Sequence, residues 1–430
     1  MSLLAHAAPI SYRFPLPIWI YVVAGGMAVL ASAPAATVAI RGDRERRTRD
    51  LLPYVSWVRP VGLALVSILL VWGLAGGLFG RTVQAQEFFE NPMTVLTWVD
   101  FWVGLGCTAA LVGNVWEWIS PLNALARALG RIGPPPLAYP EWLGQWPAGA
   151  LALGWSWLVL IWDPAKQPRT LALLVLGYFA LTLAGSAFFG PLAWLRNVEL
   201  FTVLSRTFAR FAPLDARGGE VRARPYGAGL RTDGPLPAGG GAFALTLLAT
   251  VVFDGFSQTN RYASLESWIL GHWQWLGLHT DVLGTLLMLA IVLAFVAAFV
   301  LVCGGLGRAN RYAPTLVPIA AVYFVAHYFA YLLLAGQQTL GTLVDPFGHS
   351  WNPWGLGEYA IWHGLSPAAG VWWVEVLLIV AGHVVAILAA HRVGLRLGER
   401  LRRQAPLVGL MVLYTMAGLW VLAQQLDVHA

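Results

Sequence analysis

Long stretches without a single charged residue constrain this chain more than any other feature. Residues 14–40, 60–80, 142–162, 170–195, 234–253, 282–307, 312–344 and 404–426 contain no Asp, Glu, Lys or Arg. Each is about 20 residues or more, the length of helix that crosses a hydrocarbon core of roughly 30 Å. The 58% hydrophobic and 11% charged content points the same way. A soluble multidomain protein, a nucleic-acid binder and a freely secreted enzyme are therefore excluded as readings. The sequence pI near 9.5 needs a membrane explanation instead.

Two further spans carry acidic residues: 98–119, where Asp100 and Glu117 flank an uncharged stretch, and 371–391, with Glu375 one turn in. The expected fold class is all-α, a polytopic transmembrane helical bundle of about ten spans. Their expected positions are 18–40, 61–80, 98–119, 146–162, 170–192, 241–259, 282–303, 314–336, 371–391 and 405–425. Of the 27 Lys and Arg, 22 then fall in the connections after the odd-numbered spans and 5 on the opposite side. Basic residues stay cytoplasmic during insertion, so this division predicts that both termini are non-cytoplasmic.

The 22 Trp suit a headgroup belt, with Trp98, Trp146, Trp162 and Trp194 near expected span ends. Cys107 and Cys303 both fall inside spans and read as small apolar side chains, not as a disulfide, zinc cage or nucleophile. Residues 1–17 have Arg13 as their one Lys or Arg and do not read as a secretory signal, so the first span is kept.

The chain divides into a first membrane half over 1–192, a polar segment over 193–240 and a second membrane half over 241–430. WLRNVELFTVLSRTFARFAPL predicts an interfacial amphipathic helix, with Leu195, Leu200, Phe201, Leu204 and Phe208 near one face. The Gly-, Pro- and Arg-rich remainder reads as a flexible loop on an anionic leaflet. Residues 260–281 suggest a short helix at the outer surface, where His272 and His279 read as interfacial. The outer loop 337–370 holds Asp345, His349, Glu358 and His363 and is long enough for a lid or binding surface.

No P-loop, GxSxG elbow, HExxH or CxxC occurs, so chemistry must come from polar groups at membrane depth. Such groups are costly in hydrocarbon and turn inward toward partners. Asp254 lies near the outer end of the sixth span and His327 near the middle of the eighth. Tyr323, His327 and Tyr331, at i, i+4 and i+8, share a helix face. His383 lies deep in the ninth span below Glu375, and Asp100 stands at the outer end of the third. Two histidines with a carboxylate suit a zinc-like divalent transition metal, whose open position would yield hydroxide at neutral pH. Equally, each His can be a core residue bonded to a carbonyl or Tyr, and Asp345 before Pro346 can be a turn initiator. Asn114 and Glu117 read as helix termination with an interfacial carboxylate.

FDGFSQT at 253–259, HYFAYLLLAGQQT at 327–339, DPFGHSWN at 345–352 and GHVVAILAAH at 382–391 resemble a family of bacterial polytopic membrane proteins that includes fenitrothion hydrolase. The resemblance covers about 40 residues, all in the second half. It implies a bacterial inner-membrane enzyme hydrolysing organophosphorus triesters and places Asp254, His327, Asp345, His383 and His391 at matching positions. Asp254 and Asp345 are then the catalytic candidates, with His327, His383 and Asp254 as metal ligands and metal-bound hydroxide attacking phosphorus. The expected partners are membrane lipid and a hydrophobic small-molecule substrate. A secondary transporter with five plus five spans, or a non-catalytic membrane subunit, are the alternatives.

Overall fold

The computed structural model describes residues 17–41, 49–50, 57–81, 90–131, 133–217, 220–358 and 360–426. His6, Arg13, Arg44, Arg46, Arg47 and His429 lie outside these, as does the side chain of Glu358. The chain is an all-α polytopic bundle with a trace of sheet. In order, its main helices are α1 (Ile18–Arg41), α2 (Val58–Phe79), α3 (Pro92–Leu111), α4 (Pro121–Leu129), α5 (Trp146–Leu160) and α6 (Pro168–Phe189). There follow α7 (Pro191–Asn197), α8 (Leu200–Phe208), α9 (Gly240–Ser257), α10 (Asn260–His272), α11 (Thr280–Cys303) and α12 (Leu306–Tyr312). The last four are α13 (Leu316–Ala335), α14 (Gln338–Val344), α15 (Ala368–Arg396) and α16 (Leu401–Leu426).

Among the described residues, eight helical segments are long and apolar enough to cross a membrane, and two shorter apolar helices occupy the expected first and fourth spans. Burial sorts them. In the hydropathic window of α2 17% of residues are buried, against 72% in α9 and 78% in the segment containing α13. The poorly buried helices present apolar side chains outward, as lipid contact requires, and α3, α9 and α13 form the interior. Two glycines allow close approach between interior helices: Gly106 faces the Phe324 ring and Gly382 faces Val322, with no room for a Cβ at either.

The connections expected to share a side do meet at one end of the bundle. Arg49 pairs with Ala223 between β1 (Arg49–Asp50) and β3 (Glu220–Ala223), and β3 also pairs with β2 (Leu214–Arg217). The Leu214 N–H donates to the Val112 carbonyl, Glu117 meets Arg127 at 3.0 Å and Arg206 at 3.6 Å, and Arg308 reaches Glu399. At the opposite end, Gln337 Nε2 donates to the Trp362 carbonyl, so α13 and α15 run antiparallel.

Three expectations change. The third span begins at Pro92, where Asn91 Oδ1 accepts from the Met93 N–H and Pro occupies the first turn. Asp100 consequently sits inside that helix and Trp98 is a 2%-exposed core residue instead of part of a belt. The expected interfacial helix is α8, buried at eight of its nine positions. Its polar face serves the interior: Ser205 donates to Asn114 Oδ1 and Thr202 exchanges hydrogen bonds with Asn123. Finally, part of the expected flexible loop is ordered around Arg224, whose buried guanidinium reaches Asp233 at 3.0 Å and Asp215 at 3.2 Å.

Candidate functional site

Asp254 sits in the last turn of α9 with none of its surface exposed. A carboxylate so placed needs donors on both oxygens. Gln258, one turn on, donates Nε2 to Oδ1 at 3.0 Å. Across the interface with α13, the Tyr328 hydroxyl donates to Oδ2 at 3.0 Å, and His327 Nε2 stands 3.0 Å from the same oxygen. Trp102 on α3 meets the Phe324 ring edge-on, and Phe324 meets Tyr328 in the same way, so a third interior helix backs the group.

The Asp254 contact selects the His327 tautomer protonated on Nε2. That leaves Nδ1 as a lone-pair acceptor, and it has no hydrogen-bond partner among the described residues. Tyr323 stacks on the same imidazole at 6.2 Å between centroids, and its hydroxyl is likewise without a partner there. Tyr323 lies within electrostatic reach of both Asp254 and Glu375, a 5%-exposed carboxylate on α15. The arrangement can accept, hold and pass a proton.

A second polar group lies on the other side of α3. Residues Val95–Val103 form a π-helix, a wide turn that often accompanies functional positions. Trp102 meets the Phe324 ring from this segment, and Asp100 lines a largely apolar cavity of about 320 Å³, whose wall includes Thr97, Phe101, Trp155, Tyr178 and Phe201. Asp100 Oδ2 accepts from the Thr339 hydroxyl at 2.7 Å. Tyr331, one turn beyond His327 on α13, is within electrostatic reach of both Asp100 and Asp254.

Of the expected site residues, the structure brings Asp254 and His327 together and sets the others apart. His383 Nδ1 lies 2.8 Å from the Ile379 carbonyl, one turn back on its own helix, while its Nε2 has no partner among the described residues. Its neighbour Gly382 faces Val322, which sets it about five residues, roughly 7 Å, from the level of His327. Asp345 accepts the His349 and Ser350 N–H groups, each at 2.8 Å, and forms the turn that Asp-Pro initiates. His391 Nδ1 meets Gln404 Oε1 at 3.1 Å, between α15 and α16.

Among the described residues, no three His, Cys, Asp or Glu side chains are grouped to hold a metal ion. The nitrogen that His327 turns to Asp254 is already engaged, and His383 is displaced along the bundle. This donor set does not fit a three-ligand zinc-like centre.

Tyr328, Trp102 and Gln258 were not singled out from sequence. Periodicity marks Tyr323 and Tyr331 as sharing the His327 face, whereas Tyr328 is the next residue round the helix. Gln258 was legible, at i+4 from Asp254, but nothing in the sequence announces a π-helix at Trp102. No protein-family model, curated protein or solved structure matches the chain.

Proposed function

We propose that this integral membrane protein uses the Asp254–His327 pair as a buried general base, activating water to hydrolyse a lipophilic ester. Organophosphorus triesters are the substrate class implied by the sequence resemblance. One observation carries the reading: an imidazole oriented by a carboxylate 3.0 Å from Nε2, with Nδ1 left unbonded among the described residues. In this reaction Nδ1 takes a proton from water, the water oxygen bonds to phosphorus and the aryloxide leaves with the P–O electron pair. Asp254 stabilises the imidazolium, and Tyr328 and Gln258 hold the carboxylate in place. No step requires a metal. The apolar cavity beside Asp100 supports a substrate that arrives from lipid.

The test is nitrophenol release from a nitrophenyl phosphotriester by detergent-purified protein. Wild type should release it above the His327→Gln and Asp254→Asn variants by about a hundredfold or more. Equal release by all three, with each variant eluting as a monodisperse protein, removes the reading.

A second reading, proton-coupled transport, is favoured by the pair of carboxylates Asp100 and Asp254 with Tyr331 in reach of both. It predicts substrate-dependent proton movement in proteoliposomes without hydrolysis, lost in Asp100→Asn.

A further inference from the structure

A further cavity lies at the arginine-rich end, away from Asp254. It measures about 540 Å³ and is bounded by the 225–235 segment, α12 and α15. Arg231, Arg311, Arg392 and Arg396 contribute to its wall, and no Asp or Glu does. Arg392 and Arg396 are one helical turn apart on α15 and project on the same side. Below them the same wall becomes apolar, through Leu388 and Val385, toward the middle of the span.

We propose that this cavity binds the phosphodiester headgroup of an anionic membrane lipid, with an acyl chain lying along the apolar side of α15. Arginines crowd this concavity and repel cations, and the exposed Arg311 and Arg396 guanidinium groups offer paired N–H donors that match phosphate oxygens. An apolar continuation into the bilayer has no use for a small soluble anion. It does suit a ligand that is charged at one end and hydrocarbon at the other. Basic pockets between spans at a cytoplasmic face take such headgroups, and this end is the one the basic-residue division predicts to be cytoplasmic. The assignment is independent of the chemistry at Asp254.

The experiment measures binding of acyl-labelled phosphatidylglycerol and phosphatidylcholine to the full chain in neutral detergent micelles. Wild type should prefer phosphatidylglycerol by about tenfold. Arg311→Gln/Arg396→Gln should lower its affinity by about tenfold, because both positions are exposed and neither substitution disturbs the core. Arg400→Gln/Arg402→Gln removes equal charge outside the cavity and should cost at most about twofold. Equal loss in the two double variants would assign the attraction to diffuse surface charge and overturn the site. Absence of a headgroup preference in wild type would also overturn it. Displacement of the labelled lipid by millimolar inorganic phosphate, with the same dependence on Arg311 and Arg396, would make the ligand a soluble phosphate and the lipid assignment wrong.

Discussion

His327 Nε2 lies 3.0 Å from Asp254 Oδ2, a contact between residues 73 apart that ties the last turn of α9 to the middle of α13. Both side chains are almost wholly removed from solvent. A buried carboxylate with three donors resists the loss of any one of them, since each remaining lone pair must still be satisfied.

Tyr328→Phe tests this directly. It removes one hydroxyl and leaves ring packing against Phe324 intact. The expected cost is about 1–3 kcal/mol, seen as a lower melting temperature of the purified protein. Tyr323→Phe, at a hydroxyl without a partner among the described residues, should be neutral or slightly stabilising. Equal melting temperatures for wild type and Tyr328→Phe would show that the Asp254 network contributes nothing to the fold.

Packing at α3 makes a second prediction. A Cβ at Gly106 runs into Phe324, itself 1% exposed and in edge contact with Trp102. Gly106→Ala should therefore destabilise by about 1–3 kcal/mol. Gly104→Ala, two residues away, meets no atom closer than ordinary contact and should not. Comparing the melting temperatures of the two variants checks it; the reverse order would rule out this packing.

Two carboxylates outside the spans titrate in opposite senses. Hydrogen bonding to Arg308, foremost, holds the Glu399 carboxyl below its usual range, so its contribution is present above the unfolded pKa and is lost as pH falls through the folded value. Burial pushes Glu199 up, so its contribution is complete below the unfolded pKa and is lost as pH rises through the raised one. Glu399→Gln should remove stability at neutral pH and flatten the acid limb of a melting-temperature profile. Glu199→Gln, which resembles the protonated acid, should flatten the limb above the ordinary carboxylate range. Unchanged profiles would refute both attributions.

Orientation is testable with single cysteines at exposed sites. Both native thiols, Cys107 and Cys303, are buried and should stay silent. The basic-residue division predicts that an impermeant maleimide labels Ser264→Cys in intact cells, and Leu401→Cys only after permeabilisation. The opposite pattern would invert the topology.

The all-α class and the position of most membrane-length helices were legible because hydrocarbon forces a long uncharged signal onto a span. The Asp254–His327 pair was legible for the same reason: charge at depth requires a partner. His383 stands apart from the Asp254–His327 pair because burial alone does not fix axial level, which here is set by Gly382 against Val322. Residues Leu200–Phe208 were misread since an apolar face and a Thr/Ser face look alike whether water or Asn114 and Asn123 receives the polar side. The early start of α3 depends on the Asn91-Pro92 cap, a local signal that uncharged length does not carry.

The π-helix at Val95–Val103 makes one element answer to two neighbours. Asp100 faces the cavity and Trp102 packs on Phe324, the ring that meets Tyr328, with one residue between Asp100 and Trp102. A rotation of this wide turn cannot move the first without the second. Filling the cavity would then be felt at the Asp254–His327 pair as a change in leverage on Tyr328, and Trp102→Phe would disengage that lever while leaving the cavity's own wall complete.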